Sequence, residues 1–142
     1  MVDEEIEAMG YAIPSNIVVA VVNKIMTQGN VTIASLGVTY EATEETARFD
    51  QTTQTYILSE KVVVTTNSLL GVFSSGLKTG DVIAGIKLAT ADKYTEVTRE
   101  YILTDFLLSC QEGDEITILV NRNGETLELT AVLNSAHFEK VI

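Results

Sequence analysis

A single histidine and a single cysteine stand in this chain of 142 residues, and that scarcity removes most of the groups on which catalysis and metal binding rely. Nucleophilic attack by Ser or Cys needs a base within reach. The one imidazole, His137, lies near the C-terminus in Asn134-Ser135-Ala136-His137-Phe138, and no Gly-x-Ser-x-Gly elbow accompanies it. One His and one Cys also fall short of the three or four ligands that zinc takes. The expectation is therefore no catalytic residue, no metal and no cofactor. Cys110 cannot form an internal disulfide and, set in an apolar stretch, reads as a buried thiol.

Positive charge is scarce too. Nine Lys and Arg are scattered among 20 acidic residues for a net charge of −11, which argues against nucleic acid and anionic membranes. Long apolar runs are missing, since residues 17–22 fall far short of the roughly 18 that a membrane span needs. The acidic start (Asp3, Glu4, Glu5, Glu7) lacks the basic flank of a signal peptide. With only one proline, no low-complexity tract and 46% apolar residues, the chain reads as globular. A chain of this length buries roughly 70% of its unfolded surface in one domain plus a short appendage.

Local patterns give the elements. Residues 10–14 read as a short strand ending at Pro14, followed by a helix that Ser15 caps, that runs to about Gln28 and that Gly29 closes. Its apolar positions Ile17, Val18, Val21, Val22, Ile25 and Met26 form one stripe that needs a partner. Residues 33–40 read as a strand in which Gly37 marks a bulge or a close backbone approach. The polar, Thr-rich stretch 41–59 reads as a loop with at most a short arm near 55–58. Residues 61–66 form a strand, and Asn67 or Ser68 caps a short helix containing Leu69, Leu70, Val72 and Phe73 that Gly76 breaks. A strand at 81–88 and an amphipathic helix at 98–109 follow. The clearest signal comes last: two alternating runs, Ile116-Ile118-Val120 and Leu127-Leu129-Ala131, flank Asn123-Gly124, the preferred dipeptide of a type I′ hairpin turn. The whole reads as α+β, five to six strands and two helices preceded by a strand and an amphipathic helix.

Other candidate chemistry dissolves on inspection. Glu41-Ala42-Thr43-Glu44-Glu45 lacks the alternation and central Gly of a calcium loop, and Gly76 and Gly80 lack the Lys-Ser/Thr of a phosphate loop. A binding module is the better class.

Four segments, in order, resemble the HtrA/DegP family of trypsin-like serine proteases. Gly10-Tyr11-Ala12-Ile13-Pro14 resembles that family's last protease strand, and the helix to Gly29 resembles the connector after it. Ser35-Leu36-Gly37-Val38 is similar to the loop that opens the family's PDZ domains, with Ser35 in place of the usual aromatic. Gly76-Leu77-Lys78-Thr79-Gly80-Asp81-Val82-Ile83 resembles the Gly-Leu-x-x-Gly-Asp-Val-Ile signature, and Gly113-Asp114 with Arg122-Asn123-Gly124 resembles the closing hairpin. The likeness covers about residues 7–133, with no alignable pattern in 41–59.

The resemblance implies a PDZ-like, small, partly open β-barrel or sandwich at 31–134, a remnant of the protease C-terminus at 1–30 and a tail at 135–142. The family's catalytic motifs lie upstream of the Ala-Ile-Pro strand, so this chain would hold no triad residue. It would act as a regulatory module of a bacterial protein-quality-control protease, one whose parent is extracytoplasmic and membrane-anchored. Its partners would be C-termini of peptides or unfolded proteins and an attached or missing protease domain. In that picture the backbone of Ser35, Leu36, Gly37 and Val38 holds a terminal carboxylate, Thr39, Tyr40 and Glu41 pair with the ligand strand, and Ile102, Phe106 and Ser109 line its side-chain pocket. The glutamates at 41, 44 and 45 favour basic residues upstream in the ligand. The competing expectations are an assembly domain whose groove the 41–59 stretch blocks, self-association through the 15–28 helix, and a fragment of an active endopeptidase.

Overall fold

Proline at position 14 and glycine at position 29 bracket the first element, α1 (Ser15–Gln28). Pro14 is itself the N-cap, in place of the expected Ser15, and its carbonyl accepts from the amides of Ile17 and Val18 at 3.0 and 3.2 Å. Gly29 adopts φ +70°, the left-handed conformation that a residue without Cβ takes at little cost. The computed structural model describes residues 12–67, 73 and 76–141. Most of the strand expected at 10–14 and the short helix expected after Asn67 lie outside these residues, and residues 12–14 are not in a strand.

The strands are β1 (Thr32–Ala34), β2 (Val38–Asp50), β3 (Thr55–Asn67), β4 (Val82–Leu88) and β5 (Thr95–Glu96), then β6 (Glu115–Arg122), β7 (Glu125–Val132) and β8 (Phe138–Lys140). The second helix, α2 (Glu100–Ser109), precedes β6. One antiparallel sheet has the order β2-β3-β4-β6-β7, with β5 pairing β4, and β1 pairs β8 in a separate ribbon. The described residues thus hold eight strands in two open sheets, more than the five or six expected.

The difference comes from the division of the expected 33–40 strand at residues 35–37, from the two-residue β5 and from β8. The stretch expected to be a loop, 41–59, is the greater part of a hairpin in which β2 and β3 pair from Val38↔Asn67 to Asp50↔Thr55. Its Thr-rich composition suits a pleated chain, but the arm's side chains are largely exposed on both faces, so no apolar alternation announces it. The second correction concerns the expected tail, where Phe138, Glu139 and Lys140 pair in register with Ala34, Ile33 and Thr32.

The core lies between the sheet and α2. Val62, Val64, Ile83, Ile86, Ile116 and Ile118 face Leu103 and Leu107 of α2, and Cys110 follows them into the interior. Burial, with the Asp114 carboxylate nearby, pushes the Cys110 thiol up to about 12. The helix α1 packs against α2 and buries its Ile17 and Lys24. Lys24 is itself buried; its ammonium donates to the Thr32 carbonyl, lies 5.6 Å from the Phe138 ring centroid and is held below its usual pKa by burial. Of the rest of the predicted stripe, Val21 is half-buried and Val18, Val22, Ile25 and Met26 face solvent.

At the other end, Asp81 is 1% exposed. Arg122 donates to both of its carboxylate oxygens at 2.7 Å, and the Lys78 amide adds a bond at 2.8 Å. Burial alone would raise this carboxyl's pKa, but the Arg122 and Lys78 hydrogen bonds outweigh it and hold the group below the usual carboxylate range.

Two predictions follow from these seats. Asp81→Asn leaves Arg122 without its counter-charge and lowers the unfolding free energy by about 3 kcal/mol in denaturant melts. Because the folded pKa is depressed, the pair's contribution is present above the unfolded value near 3.9 and is lost as pH falls through the folded value, so the gap between parent and variant begins to close near pH 4 and closes only below the depressed folded value. On α1, Ile17→Asp costs about 2 kcal/mol or more, whereas Met26→Asp stays within about 0.5 kcal/mol in the same assay.

Candidate functional site

A short loop, residues 35–37, joins β1 to β2, and its geometry follows from three hydrogen bonds. The Ser35 amide donates to the His137 carbonyl at 2.8 Å, the Phe73 amide donates to the Leu36 carbonyl at 3.3 Å, and the Gly37 amide donates to Ser35 Oγ at 3.2 Å. Gly37 sits at φ +74° and is buried, a conformation that turns successive amides toward one side of the chain. Serine at position 35 therefore has a local role, supplying the hydroxyl that satisfies the amide two residues on. Of the four residues whose backbone was expected to hold a carboxylate, Ser35 and Gly37 already have internal acceptors for their amides.

Beyond the loop, β2 is an edge strand, bonded within the sheet to β3 alone. Val38 and Tyr40 pack on the core while Thr39 and Glu41 point away, the alternation that a pleated strand imposes. Thr104 and Glu100, one turn apart on α2, lie close enough to Tyr40 to act on its hydroxyl electrostatically. Burial, aided by Glu100 and opposed by Thr104, raises the Tyr40 pKa above its ordinary value.

The direction of α2 along β2 is fixed at its start. The Glu60 amide donates to the Thr98 carbonyl at 2.7 Å, and Arg99 pairs with the Glu60 carboxylate at 2.8 Å. Glu60 stands opposite the bulge where Thr43↔Lys61 gives way to Thr46↔Ser59. Moving back from that bulge through Tyr40 to Val38, α2 advances from Glu100 through Thr104, so β2 and α2 run antiparallel and α2 ends level with the 35–37 loop. A cavity of about 630 Å³ lies along the first turns of α2, lined by Glu60, Arg99, Glu100, Tyr101, Thr104 and Asp105.

The three residues expected to line a ligand pocket are together, but on another flank. Ile102, Phe106 and Ser109 border a cavity of about 230 Å³ with Asn16 of α1, Thr95 and Asp105. A turn of 100° per residue sets this flank apart from the one carrying Glu100 and Thr104. The flank that faces Tyr40 is polar, and a search for apolar helix positions passes over it.

No family model matches the chain. Among curated proteins it is similar to the Serine protease Do-like HtrA of Lactobacillus helveticus, 29% identical over 131 residues, which is 90% of this chain and 30% of that protein. The Serine protease Do-like HtrA of Lactococcus lactis subsp. lactis (strain IL1403) is 30% identical over 124 residues, 85% of this chain and 29% of that protein. Among solved structures, HtrA-type protease AlgW with decapeptide superposes with a TM-score of 0.61 at 27% identity, covering 90% of this chain and 37% of that one. The PDZ domain of Carboxy-Terminal Protease from Vibrio cholerae in complex with peptide superposes at 0.51 with 15% identity, covering 79% of this chain and 99% of that domain. The fold is PDZ-like and the sequence is HtrA-like. This HtrA-like chain spans about 30% of the length of the curated relatives it matches.

Within the PDZ-like fold, the HtrA-like Gly-Leu-x-x-Gly-Asp and Arg-x-Gly segments meet as the Asp81–Arg122 pair, and the Leu-Gly-Val segment is the loop that opens β2. Ser35→Ala removes the acceptor of the buried Gly37 amide and is expected to lower stability by about 1 kcal/mol. Denaturant melts with an unchanged midpoint would show that the hydroxyl does not hold that amide.

Proposed function

We propose that this chain is a PDZ-type peptide-binding module of an HtrA-like serine protease, taking C-terminal or extended segments as an added strand on the outer edge of β2. The observation that carries this reading is an edge strand running beside α2 from a loop with a left-handed glycine. Added strands gain affinity from main-chain hydrogen bonds and selectivity from side-chain contacts, so the required parts are an open edge, a facing wall and a donor group for the terminal carboxylate. Among the described residues, β2 provides the edge, the Glu100–Thr104 flank of α2 the wall, and the amides of Leu36 and Val38 the donors. The Gly37 amide joins them where a carboxylate displaces Ser35 Oγ.

The course of β2 and β3 favours capture over an occluded groove. The 41–59 stretch continues both strands into a hairpin and pairs with itself, whereas occlusion requires it to fold across the outer edge of β2. Two of the structural relatives are described as holding peptides, a decapeptide on the AlgW protease and a peptide on the Vibrio cholerae PDZ domain. That chemistry is carried to this chain as part of the proposal, with β2 residues Thr39, Tyr40 and Glu41 as the pairing segment. The exposed glutamates Glu41, Glu44 and Glu45 add a preference for basic residues upstream in the ligand.

Cleavage is assigned to a separate serine protease domain, with residues 1–30 as the remnant of its end. The exposed face of α1, with Val18, Val22, Ile25 and Met26, supports an attached body there. No helix among the described residues is long and apolar enough to cross a membrane. An extracytoplasmic, anchored parent is part of the same proposal.

Titrating the chain with peptide pairs that differ only in a free or amidated C-terminus tests the carboxylate site. Free acids are expected to bind about tenfold tighter or more, a difference of roughly 1.4 kcal/mol. Equal affinities would remove it.

A further inference from the structure

We infer that His137 is a positioning residue for the carboxylate-binding loop, and that the turn at 134–137 sets how tightly the groove holds a ligand's free C-terminus. The inference rests on the peptide-capture reading and adds to it the part of the fold that aims the terminal donors. A carboxylate site made of backbone amides has no charged side chain to swing toward its ligand, so its affinity depends on how firmly those amides are held in place beforehand. The 35–37 loop begins where β1 ends. Its first residue, Ser35, gives its amide to the His137 carbonyl at 2.8 Å. That bond carries the β1–β8 ribbon one step past Ala34↔Phe138, so the loop leaves the ribbon in a direction that His137 fixes.

What aims the His137 carbonyl is a closed turn. The Ala136 amide donates to Asn134 Oδ1 at 3.0 Å, the His137 amide donates to the Asn134 carbonyl at 3.0 Å, and the Asn134 amide donates to His137 Nδ1 at 3.1 Å. This is a reciprocal capping box, with an imidazole where glutamate or glutamine is usual. Both ends of the turn are anchored. Upstream, Leu133 is buried and its amide donates to the Asp114 carbonyl at 2.8 Å. Downstream, Phe138 packs on the core and the Val141 amide donates to the Val31 carbonyl at 2.8 Å. Opening the box frees the Asn134 amide and lets residue 137 turn, which slackens the bond to Ser35. The amides of Leu36, Gly37 and Val38 then lose their common aim. Main-chain pairing of a ligand along Thr39, Tyr40 and Glu41 does not pass through this contact, so the loss falls on the terminal carboxylate rather than on the added strand.

The test measures, by calorimetry, the ratio of affinities for free-acid and amidated forms of one peptide in the parent chain, His137→Ala, Asn134→Ala and His137→Gln. The parent is expected to bind the free acid about tenfold tighter. In His137→Ala and Asn134→Ala the ratio should fall to about threefold or less while the amidated peptide binds as before, and His137→Gln, which keeps an acceptor at the same capping position, should restore it. Hydrogen exchange at the Ser35 amide should quicken about tenfold in the two alanine variants and stay at the parent rate in His137→Gln. Far-UV circular dichroism and melting curves establish that each variant folds. Asn134 is exposed, so Asn134→Ala carries the comparison if His137→Ala does not fold. An unchanged ratio in the folded alanine variants, including one in which both affinities fall together, overturns this inference and leaves peptide capture standing. Equal affinities in the parent overturn the carboxylate site and the inference with it, and no binding of either peptide to any folded chain overturns peptide capture as well.

Discussion

The carboxylate of Asp81 is taken out of water at the mouth of a turn, and the structure is arranged so that it is never without a partner. A buried carboxylate without a counter-charge is strongly destabilising. Here Arg122 meets both oxygens and also donates to the Gly76 carbonyl at 2.7 Å. A single guanidinium thus ties the 76–81 turn to the end of β6, immediately before Asn123-Gly124. The consequences run through the sheet. Asp81 leads into β4, whose Val82 pairs with Asn121. The Gly80 amide and the Asp81 carbonyl bond to Val64 of β3, reinforcing a β3–β4 register that is otherwise only Val62↔Ile83 and Val63↔Val82. Since β2 is held in the sheet by β3 alone, the position of the groove's edge strand descends from this ion pair through two short pairings.

What could be read from the sequence, and what could not, divides along the same physical line. Residues that the backbone or a buried charge leaves little freedom to vary were legible: Gly80 at φ +92°, Asn123 at φ +52° and Gly124 at φ +83° occupy conformations that few residue types tolerate. Asp81 and Arg122 belong to the same class, although sequence alone marks them as two separated segments and gives no sign that they touch. The β2–β3 arm was illegible because it has no buried face to impose a period of two; its Phe49–Tyr56 pair, with ring centroids 5.1 Å apart, is exposed. The ribbon of β1 and β8 was illegible for another reason, since three residue pairs are too few to show an alternation, although Ala34 and Phe138 pack on the core.

The groove shows where apolar periodicity misleads. In α2, Leu103 and Leu107, followed by Cys110, belong to the core, and Ile102, Phe106 and Ser109 form a second flank. Assigning that second flank to a ligand assumes that whatever apolar surface is left over faces the site. It faces α1 instead, and the side toward β2 carries Glu100 and Thr104. No hydrophobic pattern identifies such a flank.

The helix α2 is consequently shared between two neighbours. One flank bears on α1, whose own seat is narrow because Ile17 and the buried ammonium of Lys24 hold it while Met26, on the far side, is 79% exposed. The other flank sets the width of the gap in front of Tyr40. Ten residues thus carry the packing against the sheet, through Leu103 and Leu107, and against α1.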